Sequence, residues 1–523
     1  MKYIRKIKLN NFGRFQTMSI DLDKNLNIFI GENEAGKSTI LSAINLVLSG
    51  SRNRVETMGI ERILNAQAVK DFLSSATRAY ENLPVLYVEL YFNEQNNFEL
   101  NGKNNSDQVA CDGLKMECLP NEDLGAEIKE ILAADPENFP FEYYTVRFST
   151  FSGEGYSGYK KYLRHILIDT SVANNEHATR EYIGDMYAAY AVGSEKQKHQ
   201  NEYRKAKEAF RGDILRGLND RVDDYLFALK NDIKSNLFTD LTLIQGDTSI
   251  EHKGKGKQCF IKAEFALKKA GGAKSGIDIA LIEEPENHLS HINMKKLIGR
   301  INESEDKQLF IATHSSLISA RLDLRNCVLL HGGSPLPVPM TKLPPDTAKY
   351  FIKAPDNGVL DFILSKKVVL VEGDAEYILL ESFIQKVTGK NMDQSDVHVI
   401  SVDGTSFKRY LDISRLLGTR TAVIRDNDKD HQKNCVDLYA DYADDKIKIF
   451  SDANNARSTF EICIYEDNKA FCDGLFEGGR KTLSVQDYML KNKTEAAFSI
   501  LESKADGIVV PQYIRDAIEW ISQ

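Results

Sequence analysis

Three carboxylates, Glu372, Asp426 and Asp428, stand where runs of β-forming residues give way to turns. Residues 366–371 run into Glu372-Gly373-Asp374, and residues 421–424 run into Arg425-Asp426-Asn427-Asp428. In an open α/β sheet the carboxyl ends of parallel strands lie side by side, so these acids are expected to converge at one edge. Carboxylates gathered so closely repel one another unless a cation lies between them, and hard oxygen ligands suit Mg²⁺ or Mn²⁺. A calcium loop opening at Asp426 fails, because its sixth position is His431 rather than Gly and its twelfth is Asp437 rather than Glu.

A second chemical pattern lies far upstream. Residues 26–30 read as a buried strand leading into Gly31-Glu32-Asn33-Glu34-Ala35-Gly36-Lys37-Ser38, a complete G-x-x-x-x-G-K-S loop followed by Thr39. Ile40, Ala43, Ile44, Val47 and Leu48 then recur at helical spacing. This strand–loop–helix setting is what a phosphate-cradling P-loop requires. Its backbone N–H groups wrap phosphate oxygens, Lys37 reaches the β/γ phosphates and Ser38 ligates Mg²⁺. ATP is therefore the expected nucleotide, held by Asn33, Glu34, Ala35, Gly36, Lys37, Ser38 and Thr39. A β-run over residues 277–282 ends in Glu283-Glu284-Pro285-Glu286-Asn287-His288-Leu289, and another over 308–313 ends in His314. Between P-loop and Glu283 lies Gly254-Lys255-Gly256-Lys257-Gln258, just before a helix-like stretch.

This series resembles the ABC-type ATPases of DNA repair. The resemblance implies that Glu283 orients Mg²⁺, that Glu284 polarises the attacking water and that His314 contacts the γ-phosphate. It also makes Gly254 and Gly256 a degenerate signature covering the nucleotide of a second protomer, and hence implies a homodimer or higher homo-oligomer. Glu283 replaces the usual aspartate, and the signature lacks its usual serine. The downstream acids resemble the Toprim domain of topoisomerases, primases and certain nucleases. ATPase and Toprim in one chain resemble the overcoming-lysogenization-defect (OLD) family. That likeness implies that Glu372 binds metal and helps handle the proton, and that Asp426 and Asp428 hold the metals. It adds Glu376 as a further acid, Glu461 as a later metal ligand and Lys493 as the cation that stabilises charge on the phosphate.

The implied fold class is α/β. An ABC-type P-loop ATPase domain over residues 1–360, with a helical dimerisation insert at about 182–237, precedes a parallel-sheet Toprim domain over 361–523. In the insert Phe210, Ile214, Leu218, Val222, Leu226 and Leu229 recur at helical intervals, which a solvated helical lid over the core would share. A Gly/Pro-rich stretch over 332–345 reads as a linker or the last edge of the ATPase. No apolar run could span a bilayer, and the N-terminus lacks the apolar core of a signal peptide. Seven scattered cysteines without a C-x-x-C pair point to reduced thiols, so a cytoplasmic location away from membranes is expected. The formal net charge of -9 means that any DNA groove must be a local basic patch.

The expected function is metal-dependent DNA cleavage regulated by ATP, in anti-phage defence, alone or with a partner protein or retron RNA/DNA. One alternative is a DNA-binding repair or recombination ATPase without cleavage activity. The other is a topoisomerase-like enzyme, which needs a tyrosine nucleophile in a separate DNA-gate domain; no spare domain is visible.

Overall fold

The computed structural model describes the chain except residues 136, 159–161, 170–182, 185, 188–189, 192–193, 223–224, 231–235, 268–276, 305, 316–321, 331–335, 354–357, 405, 477, 479–482 and 504–506. Two compact units emerge, Met1–Ile318 with Asn326–Pro337, and Ser319–Arg325 with Val338–Gln523.

The principal strands of the first unit are β1 (Ile4–Phe12), β2 (Phe15–Asp21), β3 (Leu26–Gly31), β4 (Leu86–Phe92), β5 (Cys111–Pro120), β6 (Tyr144–Thr150), β7 (His165–Asp169), β8 (Ile279–Glu283), β9 (Gln308–Thr313) and β10 (Cys327–Leu330). An antiparallel sheet runs β2-β1-β4-β5-β6, and a parallel sheet runs β10-β3-β9-β8-β7. Every residue of β3 and of β9 is buried, as expected for central parallel strands covered on both faces. Helix α1 (Lys37–Ser49) touches strands of both sheets and is buried on most of its surface, which explains its nearly continuous apolar run. Gly50 ends it in the left-handed region, donating its N–H to the carbonyls of Leu46 and Val47.

Helix α2 (Glu195–Asp213) is the main described part of the expected helical insert, much of whose remainder lies outside the described residues. The helical reading was too long. Among the described residues beyond α2, Arg216–Asn219 and Leu237–Asp240 form single turns of helix, and residues 225–230 are not helical. There the Asn219 side chain accepts from the Phe227 N–H at 2.7 Å and donates to its carbonyl at 3.1 Å, closing a loop rather than extending a helix. Phe210, Ile214, Leu218, Leu226 and Leu229 are exposed, so their spacing does not mark a stripe packed within this chain. Helices α3 (Lys255–Leu267) and α4 (His291–Asn302) flank β8 in sequence and pack on each other.

In the second unit β11 (Lys367–Val371), β12 (Val397–Ser401), β13 (Arg420–Ile424) and β14 (Ile447–Phe450) form a parallel sheet in the order β12-β11-β13-β14. Helix α5 (Asp374–Thr388) follows β11, α6 (Phe407–Leu417) precedes β13, and α7 (Phe460–Asp467), α8 (Lys493–Glu502) and α9 (Gln512–Ser522) come last. Leu379, Leu380, Phe383 and Ile384 of α5 are buried in a core shared with α8 and α9. Tyr410 of α6 meets the rings of Phe351 and Phe362 at 5.1 and 5.3 Å. Those contacts draw the segment before residue 360 into the second unit, so the division falls near residue 338 rather than at the expected 360.

Among the described residues, no helix is long and apolar enough to cross a membrane.

Candidate active sites

In the first unit the register of the parallel sheet brings Gly31, Thr313 and Glu283 to the same edge. α1 starts at Lys37, directly after Gly36, whose φ of 100° is left-handed. A Cβ at Gly36 would stand 2.6 Å from Phe15 Cζ, so the turn into the helix has room for glycine alone. The Lys37 ammonium donates to the carbonyls of Gly31 at 2.8 Å and Glu32 at 2.9 Å. Burial lowers its pKa, against the opposing pull of Glu284, Glu286 and Glu283. Asn33, Glu34, Ala35, Ser38 and Thr39 share this loop and helix start. The Ser38 hydroxyl bonds the Glu283 carboxylate, whose pKa burial raises despite that bond. The two oxygen donors expected to hold Mg²⁺ are thus adjacent.

Glu284 has a left-handed backbone, φ 47°, and donates its N–H to Ala312 O at 2.8 Å. Burial, the charge of Glu286 and a hydrogen bond with Glu286 push its carboxyl up to about 7, while His314 and Lys37 pull the other way. His314 Nδ1 contacts Glu284 Oε2 and lies 3.6 Å from Glu286 Oε1. Glu284, Glu286 and His314 each offer a ligand atom within 4.8 Å of the others, the one such group of three or more among the described residues. The resemblance to ABC-type ATPases assigns Glu284 and His314 roles but leaves Glu286 without one.

Gly254 and Gly256 stand at the start of α3. A Cβ at Gly254 would meet nothing within 4 Å, whereas one at Gly256 would fall 2.0 Å from His288 O. Gly256 is therefore required by close approach to the loop after Glu284, whatever else that turn does.

In the second unit Glu372 follows β11, Glu376 lies in the first turn of α5, Asp426 follows β13 and Glu461 opens α7. Glu376, Asp426 and Glu461 are 7%, 7% and 3% exposed, burial that ionised carboxylates tolerate only with compensation. Burial pushes Glu376 up to about 7. Asp426 is pushed up to about 8 by burial and then by Glu376, Glu372 and Glu461, although its Oδ1 accepts from the Phe460 N–H at 2.8 Å. Burial and the charge of Asp428 raise Glu372. Lys493 Nζ lies 3.0 Å from Glu461 Oε2. Glu372 Oε2 and Glu461 Oε1 are buried without a hydrogen-bond partner. These oxygen donors, two of them orphaned acceptors, suit a hard divalent cation such as Mg²⁺ or Mn²⁺ in kind, while among the described residues no three of the acids bring ligand atoms within 4.8 Å of one another. Asp428 differs from the rest: it is exposed, its φ is 50°, and Arg425 Nη2 lies 3.8 Å from its Oδ2.

Two residues between these acids went unassigned in the sequence. Asn427, 1% exposed, turns its amide nitrogen to the carbonyls of Asp452, Asn454 and Arg457 at 2.8 to 3.1 Å. It thereby ties the Asp426–Asp428 turn to the loop after β14. Arg425 is buried and donates to Tyr439 Oη at 2.6 Å. An Asn between two Asp is a usable signal, whereas nothing around Arg425 in the sequence marks it.

Residues 363–428 match the model of the overcoming lysogenization defect protein-like TOPRIM domain, and residues 1–129 match that of an AAA ATPase domain. The chain thus carries a segment similar to an ATPase domain followed by one similar to an OLD-like Toprim domain. The Toprim match includes Glu372, Glu376, Asp426 and Asp428 but ends before Glu461 and Lys493. The ATPase match includes the P-loop but ends before Glu283 and His314. Two curated relatives are similar over short stretches: the DNA replication and repair protein RecF of Clostridium tetani is 40% identical over 52 residues, and that of Clostridium kluyveri is 45% identical over 42. These stretches span 10% and 8% of this chain, and only 14% and 12% of the two relatives. Among solved structures, the Smc head domain from Pyrococcus furiosus with an extended coiled coil, bound to the C-terminal domain of ScpA, is 16% identical with a TM-score of 0.34, covering 64% of this chain and 95% of that one. The recombination mediator protein RecF, in a structure titled as RecF-ATPrS, is 12% identical with a TM-score of 0.28, over 64% of this chain and 97% of that one.

Proposed function

We propose that this chain is an ATP-regulated DNA endonuclease whose cutting requires Mg²⁺ or Mn²⁺. The observation that supports this most is the buried acidic cluster at the end of β11 and β13, with acceptors on Glu372 and Glu461 left unpaired. Glu372, Glu376, Asp426 and Glu461 would hold the divalent ion, with Asp428 at the exposed rim. A bound divalent ion supplies a polarised water and neutralises charge on the leaving 3′ oxygen of a phosphodiester. Glu372 would handle the proton of that water, Lys493 would neutralise charge on the phosphate, and Asn427 would keep Asp426 and Asp428 in place.

ATP would be bound by the loop Asn33–Thr39, with Lys37 on its phosphates and Ser38 and Glu283 as the Mg²⁺ ligands. Glu284 would accept the proton of the attacking water, and a carboxyl that titrates near neutrality suits that task. His314 would contact the γ-phosphate. Gly254 and Gly256 would cover the nucleotide of a second copy, making a homodimer with composite sites. The nucleotide state would control access of DNA to the Toprim centre, and the cellular setting would be cytoplasmic anti-phage defence with a protein or retron partner.

The test is incubation of purified protein with plasmid and linear DNA, with Mg²⁺, Mn²⁺ or chelator, each with and without ATP. Metal-dependent breakage of plasmid that responds to ATP is expected. ATP hydrolysis without breakage under any of these conditions would leave the ATPase and remove the nuclease.

A further inference from the structure

We infer that Glu286 is a positioning residue for ATP hydrolysis, clamping the loop that carries Glu284 onto the end of the strand that carries His314. The inference rests on the ATPase reading of this site. Glu284 occupies a left-handed conformation, φ 47°, and immediately precedes Pro285. A bulky residue seldom adopts that conformation, and a following proline narrows its choices further. Such a backbone persists only where its surroundings over-determine it. One restraint is the bond from Glu284 N–H to Ala312 O at 2.8 Å. A second is the bond from the Asn287 N–H to Glu284 O at 3.0 Å, and Glu286 then ties this loop to the neighbouring strand. Its Oε1 accepts from Thr313 Oγ1 at 2.6 Å and from the His314 N–H at 3.0 Å, and lies 3.6 Å from His314 Nδ1. A carboxylate oxygen of Glu286 also lies within 4.8 Å of one of Glu284.

One carboxylate therefore binds Thr313 and His314 at the strand end and lies beside Glu284, from a position where it is mostly shielded from solvent. The Glu286 side chain is 12% exposed, that of His314 52%, and Thr313 is fully buried. His314, at the open end of β9, has its main chain held by Glu286 and its ring placed against Glu284. Without Glu286 the Thr313 hydroxyl and the His314 N–H lose their acceptor. The loop that carries Glu284 would then lose its side-chain tie to the end of β9, and displacement of a reacting group by about an ångström costs roughly a hundredfold in rate.

The experiment measures steady-state ATPase kinetics and the affinity for a non-hydrolysable ATP analogue by calorimetry, in full-length wild type, Lys37→Ala, Glu286→Ala and Glu286→Gln. Glu286→Ala should lose about a hundredfold in kcat while KM and analogue affinity stay within about threefold. Glu286→Gln keeps an acceptor oxygen for Thr313 and His314 and should recover most of that loss. If Glu286→Ala does not fold, Thr313→Val replaces it, with an expected fall in kcat of about tenfold at unchanged analogue affinity. Four results would overturn the inference: Glu286→Ala with kcat near wild type, loss of analogue affinity in step with kcat, Glu286→Gln as inactive as Glu286→Ala, or Thr313→Val at full rate. A wild type that hydrolyses no more ATP than Lys37→Ala would instead remove the ATPase reading itself.

Discussion

Lys493 Nζ stands 3.0 Å from Glu461 Oε2, joining the start of α8 to the start of α7 at the edge of the acidic cluster. Burial opposes the lysine charge, but Glu461, Asp426 and Glu376 outweigh it and raise its pKa. Lys493 is thus a built-in cation among acids that would otherwise repel one another. Lys493→Met should tighten Mn²⁺ binding several-fold, measured by calorimetry, while lowering DNA cleavage. Weaker Mn²⁺ binding in that variant would show that the lysine supports the metal site instead of competing with it.

Asp426→Ala should reduce DNA cleavage roughly a thousandfold, because a phosphodiester without a correctly placed metal loses nucleophile and charge stabilisation together, several kcal/mol of barrier. Its ATPase rate should be largely retained, since Ser38 and Glu283, the proposed Mg²⁺ ligands for ATP, belong to the other unit. Plasmid cleavage by both proteins, with chelator as control, checks this. Equal cutting by wild type and variant would place the nuclease centre elsewhere.

Lys37→Ala should abolish ATP binding, whereas Glu284→Gln should keep binding and slow hydrolysis by about a hundredfold or more. Calorimetry with a non-hydrolysable analogue separates the two effects. Wild-type affinity in Lys37→Ala would contradict the P-loop assignment.

The buried acids make a pH prediction for the metal-free protein. Asp426 near 8 and Glu376 near 7 lie above their ordinary values of 3.8 and 4.5. The folded chain therefore holds protons that the unfolded chain releases between about pH 4 and pH 8, and stability must fall as pH rises through that window. In EDTA, Tm should drop by several degrees from pH 5 to pH 8, and Asp426→Asn should flatten the slope. Mg²⁺ should raise Tm more at pH 8 than at pH 5, because it binds the ionised acids. A Tm in EDTA that climbs from pH 5 to pH 8 would contradict the burial argument.

A composite dimer site is best tested at Gly254, not Gly256. Gly254→Asp adds a side chain in open space, while any Cβ at Gly256 would collide with His288 O and confound folding with function. Gly254→Asp should lose ATP hydrolysis, and mixing it with Lys37→Ala should restore part of it, since a heterodimer could keep one intact site. Proven subunit exchange without recovery would argue against a shared site.

Features confined to a few neighbouring residues were legible in the sequence. The P-loop follows from a buried strand, a glycine turn with room for no Cβ and an apolar helix, all within residues 26–49. Glu372 and Asp426 were legible because each ends a short β-run, and parallel strands align their carboxyl ends. The helical insert was misjudged because periodicity records spacing and not the surface that would bury it, and Asn219 closes its own loop instead. Burial and long-range approach belonged to the tertiary structure alone. Glu286 gains its meaning from Thr313 and His314 on another strand, Asp428 turns out to sit at the rim while Asp426 is buried, and Gly256 is explained by His288. Such relationships depend on distances between segments remote in the chain, and no local propensity encodes them.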